Sequence, residues 1–555
     1  MNFPFKRLAT FLFLIHVLIL VPEIKTLSQN FPPMEITIHD SAATQGYYFF
    51  APYASSPPYF FQHPQLILDR FGNIVWYRIL PGLIHSTTTY DFKIQPDRRM
   101  SYYSLSSSKY QVMDSTFTVK DSLGAANGFN IDVHDLQFLS NGHYLLLAQE
   151  SRYMNLTAYH IFGMTHSSPG GANAEVIGVV IQEFDENKNL VWQWKAHDHF
   201  AFNDVDSMFL FSPTKVDWTH ANAVEEDDDG NILLSCRHFD EITKINRQTG
   251  AIIWRLGGKR NQFNFTNDPL RFSGQHDIRR ISNGHITIFD NGLYHNPPLA
   301  RALEYDLNEV TKTAALVWNY SYSSSLSSMA VGSHQALPNG NHLVDFGAIP
   351  EGYPWFVLVK PDKSVAMEIS QTGSYTSYRA FNYDTLPWAL PRPLVECYKS
   401  GKDYFLEAEP GHPEYLWSTG ATTQSIQITA AGKYWVYVPL GEGYLSSKQF
   451  VVSDTSNPCM FVSEKEPLEG VQLSVDCIPN PARDQAKIIF DLPVKLEISI
   501  EILDLESRER ITIPASVHPS GKNMIPVDLS RLEKGIYFLR FIAGQTVITK
   551  KIIVQ

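Results

Sequence analysis

The sequence predicts an all-β protein whose larger part is a β-propeller, and three observations carry this prediction. Two kinds of hairpin alternate imperfectly from residue 34 to about residue 390, and two hairpins supply the four strands of a propeller blade. The unit recurs at very roughly 50 to 85 residues, somewhat longer than the ~40–50 of common blade families. Helix signals are few, whereas β-branched and aromatic residues and Asn-Gly turns are frequent. The repeats correspond to five or six blades.

In the first kind of hairpin, a polar turn separates two strands, and the second strand carries Trp or another large residue. Clear copies end in I-V-W-Y at 74–77, L-V-W-Q-W at 190–194 and I-I-W-R-L at 252–256, with weaker copies at 304–318 and 357–369. One blade cannot bury both faces of its own sheet. We therefore expect the Trp-bearing strands to pack against the neighbouring blade.

The second kind of hairpin is led by a histidine that stands just before the first strand of the hairpin. Four repeats have this feature: His134 in V-H-D-L, His220 in W-T-H-A-N, His276 in G-Q-H-D and His334 in S-H-Q-A. A fifth hairpin has Tyr90-Asp91 in the same slot. Because the innermost strands of a propeller converge on its axis, residues at one strand phase are expected to meet there.

Two further polar residues accompany these histidines. Arg237 follows the strand I-L-L-S-C, and Asn222 shares one face of an extended strand with His220. A pocket with several imidazoles and one guanidinium is rich in donors, and this suits a tetrahedral oxyanion such as sulfate or phosphate.

Other interpretations of the histidines remain open at this point. Each histidine could instead hold two blades together by hydrogen bonds. Three or four imidazoles can also bind zinc or copper, although Arg237 beside them disfavours a cation. The sequence therefore predicts no metal and no cofactor. His143, His285 and His342 follow their turns and are expected at turns or on the surface, while Asp135 and Asp277 could orient an imidazole or cap a turn.

Charge and the N-terminus limit the partners and the location of the protein. The net charge of −12 argues against nucleic acid as the main partner. Lys6 and Arg7 precede an apolar run from Leu8 to Val21, which predicts a signal peptide over residues 1–28 and hence export. An uncleaved membrane anchor is the alternative. Oligomeric state cannot be read from these features.

Four cysteines in so long an exported chain do not form its main framework. Cys397 and Cys459 bracket one compact segment and could pair. Cys236 lies in an apolar strand and is expected to be a buried free thiol, and Cys477 is a candidate for an unpaired one.

The propeller is predicted over residues 34–393, and two smaller all-β modules follow it. Short strands between close turns predict a β-sandwich over residues 394–456, and W-S-T-G-A-T-T-Q-S-I and G-K-Y-W-V-Y-V resemble immunoglobulin-like modules of secreted bacterial proteins. A second sandwich is predicted over residues 470–555. Its motifs I-P-N-P-A-R-D and E-K-G-I-Y-F-L-R-F and its end T-K-K-I-I-V-Q resemble the C-terminal sorting domain of the type IX secretion system. That resemblance implies the type IX machinery as a partner and a secreted or outer-membrane surface protein.

The propeller motifs taken together resemble the arylsulfotransferase family. The motifs are D-W-T-H-A-N-A, I-L-L-S-C-R-H-F-D-E-I, T-G-A-I-I-W-R-L-G-G and G-Q-H-D-I…F-D-N-G, in the family's order over about residues 90 to 350. The resemblance implies a six-bladed propeller that moves a sulfuryl group from a phenolic sulfate ester to a phenolic acceptor. It also implies independence from the nucleotide donor 3′-phosphoadenosine 5′-phosphosulfate (PAPS).

The same resemblance implies roles for individual residues. His276 matches the nucleophile that becomes a sulfohistidine in a ping-pong reaction. His220, Arg237 and His134 match residues around the transferred group, while Asn222 and His334 are weaker candidates for substrate binding. The alternative function is a non-catalytic cell-surface propeller that binds sulfated or glycan ligands. The short N-terminal part and the added C-terminal modules depart from the family pattern and leave the acceptor open.

Overall fold

The computed structural model describes residues 34–555 with several gaps. The predicted signal peptide lies outside the described residues. The gaps are residues 55–61, 163–166, 206–211, 372–374, 454, 456–457, 461–474, 493–495, 505–507, 520 and 544–545.

The first half of the propeller consists of short antiparallel strands joined by tight turns. In chain order these are β1 (Met34–Ile38), β2 (Tyr47–Tyr53), β3 (Pro64–Leu68), β4 (Ile74–Ile79), β5 (Thr89–Ile94), β6 (Met100–Ser104), β7 (Lys109–Met113), β8 (Val119–Leu123), β9 (Asn130–Phe138), β10 (Tyr144–Met154), β11 (His160–Phe162), β12 (Ser167–Pro169), β13 (Ala174–Phe184) and β14 (Leu190–Lys195).

The second half repeats the pattern. Its strands are β15 (Lys215–Asp217), β16 (Ala221–Glu226), β17 (Ile232–Cys236), β18 (Glu241–Ile245), β19 (Ile252–Gly257), β20 (Asn264–Thr266), β21 (His276–Arg280), β22 (Ile286–Asp290), β23 (Arg301–Asn308), β24 (Thr313–Tyr320), β25 (Ser333–Ala336), β26 (His342–Asp345), β27 (Pro354–Val359), β28 (Val365–Gln371) and β29 (Thr376–Tyr383). The described helices of the chain are single turns: α1 (Ala196–His199) and 3₁₀ turns at Ile84–Thr87, Phe202–Asp204, Arg237–Phe239 and Pro458–Met460.

Apart from β11 and β12, which pair with each other, these strands form six sheets with four main strands each in the described part of the chain. One edge strand of every sheet contacts its counterparts in both neighbouring sheets, and the contacts close into a ring in the order β5, β9, β16, β21, β25, β29. The beginning and the end of the propeller segment close the ring, because β2 pairs with β29, with Tyr48 opposite Asn382. This arrangement confirms the predicted β-propeller and places the histidine-led strands innermost.

Apolar side chains fill the spaces between neighbouring sheets. Trp254 on β19 is fully buried in a cluster with Ile278 and Leu303 of the next sheet. Trp76 on β4 and Trp194 on β14 are buried in equivalent clusters. The expectation that the Trp-bearing strands pack against the next blade is therefore confirmed.

The segment after the propeller contributes strands β30 (Val395–Ser400), β31 (Asp403–Ala408), β32 (Leu416–Trp417), β33 (Ser425–Gln427), β34 (Gly432–Tyr434), β35 (Val436–Leu440), β36 (Gly443–Ser446) and β37 (Phe450–Val452). Strand β36 pairs with the outer strand β4, with Tyr444 opposite Tyr77. This pairing extends one propeller sheet to seven strands. Arg78 of the propeller forms an ion pair with Glu442 at the same junction.

The C-terminal region forms two sheets around an apolar core of its own. Its strands are β38 (Val475–Ile478), β39 (Gln485–Leu492), β40 (Leu496–Leu503), β41 (Glu509–His518), β42 (Gly521–Asp528), β43 (Gly535–Ala543) and β44 (Thr546–Val554). Among the described residues, no helix is long and apolar enough to cross a membrane.

The cysteines behave as the sequence suggested. Cys397 and Cys459 form a disulfide that joins β30 to the chain beyond β37. Cys236 and Cys477 are buried free thiols.

Candidate active site

Three of the predicted histidines reach one end of the inner ring because their strands are bulged. The pairing of β16 shifts between Ala221 and Ala223, and that of β21 shifts between His276 and Arg279. The backbone is left-handed at His220, with φ 42°, and at Asp277, with φ 59°. An extra residue at a bulge re-aims the neighbouring side chain, and here it directs the imidazole to the mouth of the channel.

The rings of these histidines lie close together. The ring centroids of His134 and His220 are 5.1 Å apart, and those of His220 and His238 are 4.6 Å apart. His276 is near enough that the charges of Arg237, His220 and His134 lower its pKa. We call His134, His220, His238, His276 and Arg237 the imidazole cluster.

A carboxylate orients each of the two more exposed rings. Asp132 Oδ1 accepts a hydrogen bond from His134 Nδ1 at 2.5 Å, and Asp217 Oδ2 accepts one from His220 Nδ1 at 2.5 Å. Gln149 donates to the other oxygen of Asp132 at 2.7 Å. Because the Nδ1–H of each ring donates to a carboxylate, the Nε2 atom of each ring remains available to a bound substrate.

The charge state of Asp217 agrees with this arrangement. Burial alone would raise the pKa of Asp217. The charge of His220 and its hydrogen bond, with His238 and His134 nearby, instead hold that pKa well below its usual range. Asp217 is therefore an anion that accepts the hydrogen bond of His220.

Two neighbours determine the tautomer of His276: a hydrogen-bond acceptor lies at Nδ1 and a donor lies at Nε2. Asn291 Nδ2 donates a hydrogen bond to the carbonyl of Val331 at 3.0 Å. Asn291 Oδ1 therefore faces His276 Nδ1 at 2.7 Å and accepts a hydrogen bond from it. The backbone N–H of Val331 points at His276 Nε2 at 3.3 Å and can only donate. The lone pair therefore resides on Nε2.

Burial keeps His276 neutral. The side chain is 1% exposed. Burial first, and then the charges of Arg237, His220 and His134, lower its pKa well below the usual value. A neutral imidazole with its lone pair on Nε2 is the form required of a nucleophile.

Arg237 brings a positive charge into the same space. It begins a 3₁₀ turn directly after β17 and is 6% exposed. Its Nη2 donates to the carbonyl of Met329 at 2.7 Å, and its Nη1 donates to His238 Nε2 at 3.0 Å. Both of these acceptors are neutral, and a guanidinium held in this way is suited to bind an anion.

His238 is a neutral support for Arg237. Its Nδ1 donates to the carbonyl of Asp217 at 2.6 Å, which leaves Nε2 as the acceptor for Arg237. Burial, followed by the neighbouring His220, lowers the pKa of His238 to about 3. The ring therefore stays uncharged at neutral pH.

One group of side chains in the pocket has the spacing of a metal site. Ligand atoms of Asp217, His220 and His238 lie within 4.8 Å of one another. However, His238 Nε2 accepts a hydrogen bond from Arg237, so a cation at this point would face a guanidinium. The donor set favours an anion over a metal ion.

The two weaker candidates are fully buried. Asn222 donates from its Nδ2 to the carbonyl of Gln275 at 2.7 Å. His334 lies between blades: its Nε2 is 2.9 Å from His342 Nδ1, and its ring stacks on Trp318 with centroids 5.4 Å apart. Burial lowers the pKa of His334 to about 4, so it is a neutral packing residue.

The regular pairing of β25 explains the position of His334. Residues 333–336 pair with β26 without a register shift, so no bulge turns the ring toward the mouth. His342, which was expected at a turn or on the surface, is instead 6% exposed and packs on Trp318 with centroids 3.7 Å apart. That expectation was wrong because β26 runs through the interior from its first residue.

Directly below the cluster the inner strands carry a buried ion-pair network. Its members are Asp91, Lys93, Asp135, Asp277, Arg279 and Arg379, and we call them the axial charge network. Arg379 Nη1 is 2.8 Å from Asp91 and 3.3 Å from Asp135, and its Nε is 3.3 Å from Asp277. Asp135 and Asp277 thus form ion pairs with Lys and Arg side chains and do not orient an imidazole.

Sequence reasoning missed several members of the site, although short-range signals existed. Asp132 and Asp217 precede their histidines by two and three residues, and His238 follows Arg237 directly. Asn291 belongs to the quoted F-D-N-G motif. Tyr378 had no such signal: it comes from the strand that closes the ring and donates from its hydroxyl to the carbonyl of His134 at 2.8 Å.

The fold is a β-propeller whose inner ring brings several imidazoles and one guanidinium close together. The arylsulfotransferase (ASST) family model matches residues 53–379, and the chain belongs to this family. A secretion system C-terminal sorting domain of type IX matches residues 477–555, which indicates export followed by secretion or attachment to the cell surface.

Comparison with solved structures gives distant likenesses only. A protein of unknown function from Bacteroides caccae is 10% identical, with a TM-score of 0.37 over 60% of this chain and 98% of that one. The streptogramin B lyase structure is 11% identical, with a TM-score of 0.28 over 64% and 92% of the two chains. Virginiamycin B lyase from Staphylococcus aureus is 10% identical, with a TM-score of 0.28 over 66% and 97%. Among the curated proteins no match is found.

Proposed function

We propose that this member of the arylsulfotransferase family is a PAPS-independent aryl sulfotransferase that works by a ping-pong mechanism through a sulfohistidine at His276. The donor is a phenolic sulfate ester and the acceptor is a second phenol. The observation that carries the proposal is a neutral, buried imidazole whose lone pair, on Nε2, lies beside a guanidinium and two carboxylate-bound imidazoles.

In the first half-reaction, the Nε2 lone pair of His276 forms a bond to sulfur as the bond from sulfur to the phenolic oxygen breaks. The electron pair of the broken bond leaves with the phenolate, which takes a proton from His134 or His220. The sulfated ring retains its Nδ1 proton and becomes cationic, and the oxygen of Asn291, 2.7 Å away, stabilises it. Charge is balanced, because the imidazolium that gave its proton to the phenolate becomes neutral as the ring of His276 becomes cationic.

In the second half-reaction, an acceptor phenol gives its proton to the imidazole that was deprotonated before. Its oxygen attacks sulfur, the bond between nitrogen and sulfur breaks, and the electron pair returns to His276 Nε2. The carboxylates Asp132 and Asp217 hold the two candidate imidazoles in the orientation that exposes Nε2. One histidine thus acts first as general acid and then as general base.

Arg237 supplies electrostatic stabilisation in both half-reactions. Negative charge spreads over the equatorial oxygens during sulfuryl transfer, as it does in phosphoryl transfer. A guanidinium whose bonds to Met329 and His238 hold it in place needs little reorganisation to meet that charge. Removal of one donor of this kind typically slows the chemical step about 10²–10³-fold.

The proposal is tested by incubating the protein with p-nitrophenyl sulfate and phenol, without any nucleotide. We expect release of nitrophenol, formation of phenyl sulfate, and mass spectrometry of the enzyme treated with donor alone showing the added sulfuryl group on His276. A His276→Ala variant should lose both the label and the turnover. The matched control is His143→Ala, because His143 lies on a turn and its side chain is 26% exposed.

The result that would contradict the proposal is a folded wild-type protein that transfers no sulfuryl group to any phenol. Tight binding of sulfated ligands that survives His276→Ala, again without transfer, would support a binding propeller instead.

A further inference from the structure

Residues 328–332, which we call the cap segment, lie across the nucleophile and contact two members of the imidazole cluster. The backbone N–H of Val331 donates to His276 Nε2 at 3.3 Å. The carbonyl of Met329 accepts from Arg237 Nη2 at 2.7 Å. The segment connects β24 to β25 and belongs to neither blade, so its contacts with the cluster do not result from strand pairing.

The direction of the Val331 N–H is enforced by an unusual backbone. Val331 has φ 55° and Gly332 has φ 101°. A left-handed conformation is costly for a β-branched residue, and it persists only where the surroundings hold it. Here Asn291 Nδ2 donates to the Val331 carbonyl at 3.0 Å and to Ser328 Oγ at 2.8 Å, while Gly332 N–H donates to the carbonyl of Tyr378 at 3.1 Å.

Asn291 links the cap segment to the nucleophile in both directions. Its Oδ1 accepts a hydrogen bond from His276 Nδ1, and its Nδ2 donates one to the carbonyl of Val331. The peptide N–H of Val331 then reaches the opposite nitrogen of the same ring. His276 is therefore clamped at both nitrogens, and its lone pair is occupied in the resting enzyme.

This clamp conflicts with simple nucleophilic attack. His276 is 1% exposed, whereas the Met329 side chain on the other side of the cap segment is 51% exposed. Sulfur can reach Nε2 only if the Val331 N–H gives up its bond to that atom. Once the lone pair forms a bond to sulfur, the same N–H needs a new acceptor.

We propose that the backbone N–H of Val331 is a catalytic group that exchanges acceptors during the reaction. It donates to His276 Nε2 in the resting enzyme and to a sulfuryl oxygen once the bond between nitrogen and sulfur forms. This inference rests on the sulfohistidine mechanism proposed above. The amide proton is not transferred: only its hydrogen bond moves, from a neutral nitrogen to an anionic oxygen one bond beyond the sulfur.

The exchange lowers the barrier for a stated reason. A hydrogen bond to an ionised acceptor is stronger than one to a neutral acceptor, so the N–H binds the transition state more tightly than the resting ring. Its direction is set before the reaction by Asn291 and the carbonyl of Tyr378, so little reorganisation is needed. The cap segment thereby adds a backbone donor beside Arg237.

The first test removes this N–H alone. The α-hydroxy analogue of valine, inserted at position 331 by codon suppression, replaces the amide by an ester and keeps the side chain. We expect the burst of nitrophenol release to slow about 10²-fold at unchanged KM, as for loss of one oxyanion donor. The control is valine inserted at position 331 by the same route. An ester protein with a normal melting temperature and an unchanged burst overturns the inference.

The second test needs no altered protein. Labelling with [¹³C′]Ala and [¹⁵N]Val selects the two Ala-Val pairs of the chain, Ala223-Val224 and Ala330-Val331. Val224 N–H donates to Asp135 in the axial charge network and serves as an internal reference. On addition of donor alone, the Val331 amide proton should move downfield and stay protected from exchange, and acceptor should reverse the shift.

Two outcomes of the second test overturn the inference. One is an unmoved Val331 resonance, and the other is rapid solvent exchange, which would mean that the cap segment swings away. Both are judged only in protein that carries the sulfuryl group on His276. A wild-type protein that never acquires that group contradicts the proposed function itself, so the two failures are distinguishable.

Discussion

The imidazole cluster and the axial charge network share the inner strands β9 and β21, and two pairs of their members are chain neighbours. His134 adjoins Asp135, and His276 adjoins Asp277. In the network, carboxylates and cations meet one another at 2.8–3.3 Å. In the cluster, the charged Arg237 bonds to the neutral groups Met329 and His238. The network consists of ion pairs among its own members, whereas the cluster consists mainly of hydrogen bonds made by imidazoles and one guanidinium.

The difference teaches how a propeller can hold a reactive site at its axis. A buried ion pair contributes little net stability, but an unbalanced buried charge is very costly. Burial would raise the pKa of Asp135, yet Arg279, Lys93 and Arg379 hold it well below its usual range. The network therefore balances three carboxylates with three cationic side chains, whereas the cluster presents imidazole and guanidinium groups.

The largest effect is expected when one cationic side chain is removed from the axial charge network. Arg379→Met removes the guanidinium that lies between Asp91, Asp135 and Asp277. We expect a loss of about 3–5 kcal/mol in the free energy of unfolding, measured by urea denaturation. The control is Arg99→Met, whose partly exposed pair with Asp97 should contribute less than about 1 kcal/mol. Similar losses for the two variants would mean that the network is not a stabilising unit.

Within the cluster, the two carboxylates that orient imidazoles should affect activity and not stability. We expect Asp217→Asn and Asp132→Asn each to lower kcat/KM, and for the one whose imidazole carries the proton the loss should approach the roughly 10²–10⁴-fold that general acid–base catalysis contributes. The variant that also moves the basic limb of the pH profile of kcat/KM to lower pH identifies the general acid, because its imidazolium has lost a carboxylate partner. Equal effects without a moved limb would contradict a proton role for either histidine.

The smallest effect concerns acid stability. Burial lowers the pKa of His334 to about 4 and, with His334 nearby, that of His342 to about 3, from a usual value of 6.5. The unfolded chain therefore binds more protons below pH 6.5, and stability falls as the pH drops from 6.5 toward 4, by up to about 1.4 kcal/mol per pH unit for each histidine.

His342→Gln should flatten this slope between pH 6.5 and 4, as measured by urea denaturation at several pH values. Curves for the variant and the wild type that run parallel over this range would contradict the assignment. Transfer activity at neutral pH should persist in the variant, because His342 packs on Trp318 away from the pocket.

Much of the architecture could be predicted from local patterns. Alternating strands, Asn-Gly turns and Trp-bearing strands specify hairpins, and hairpins at a regular spacing specify blades. His134, His220, His276 and Arg237 could be placed together because equivalent strands converge at the axis. The edge pairing of β36 with β4 could not be predicted, since it depends on an outer edge that exists only after the blade has formed.

The sequence by itself determined which side chains could meet at the axis, since residue type and strand phase are local properties. Only the tertiary structure decided which histidines point into the pocket. A strand turns alternate side chains to opposite faces, so one extra residue at a bulge reverses the outcome. Strand β21 has that bulge and directs His276 to the mouth, while β25 lacks it and directs His334 between blades. Asn291 lies 15 residues from His276, just after the hairpin partner of β21, whereas Val331 lies 55 residues away and reaches His276 only when the next blade packs against this one.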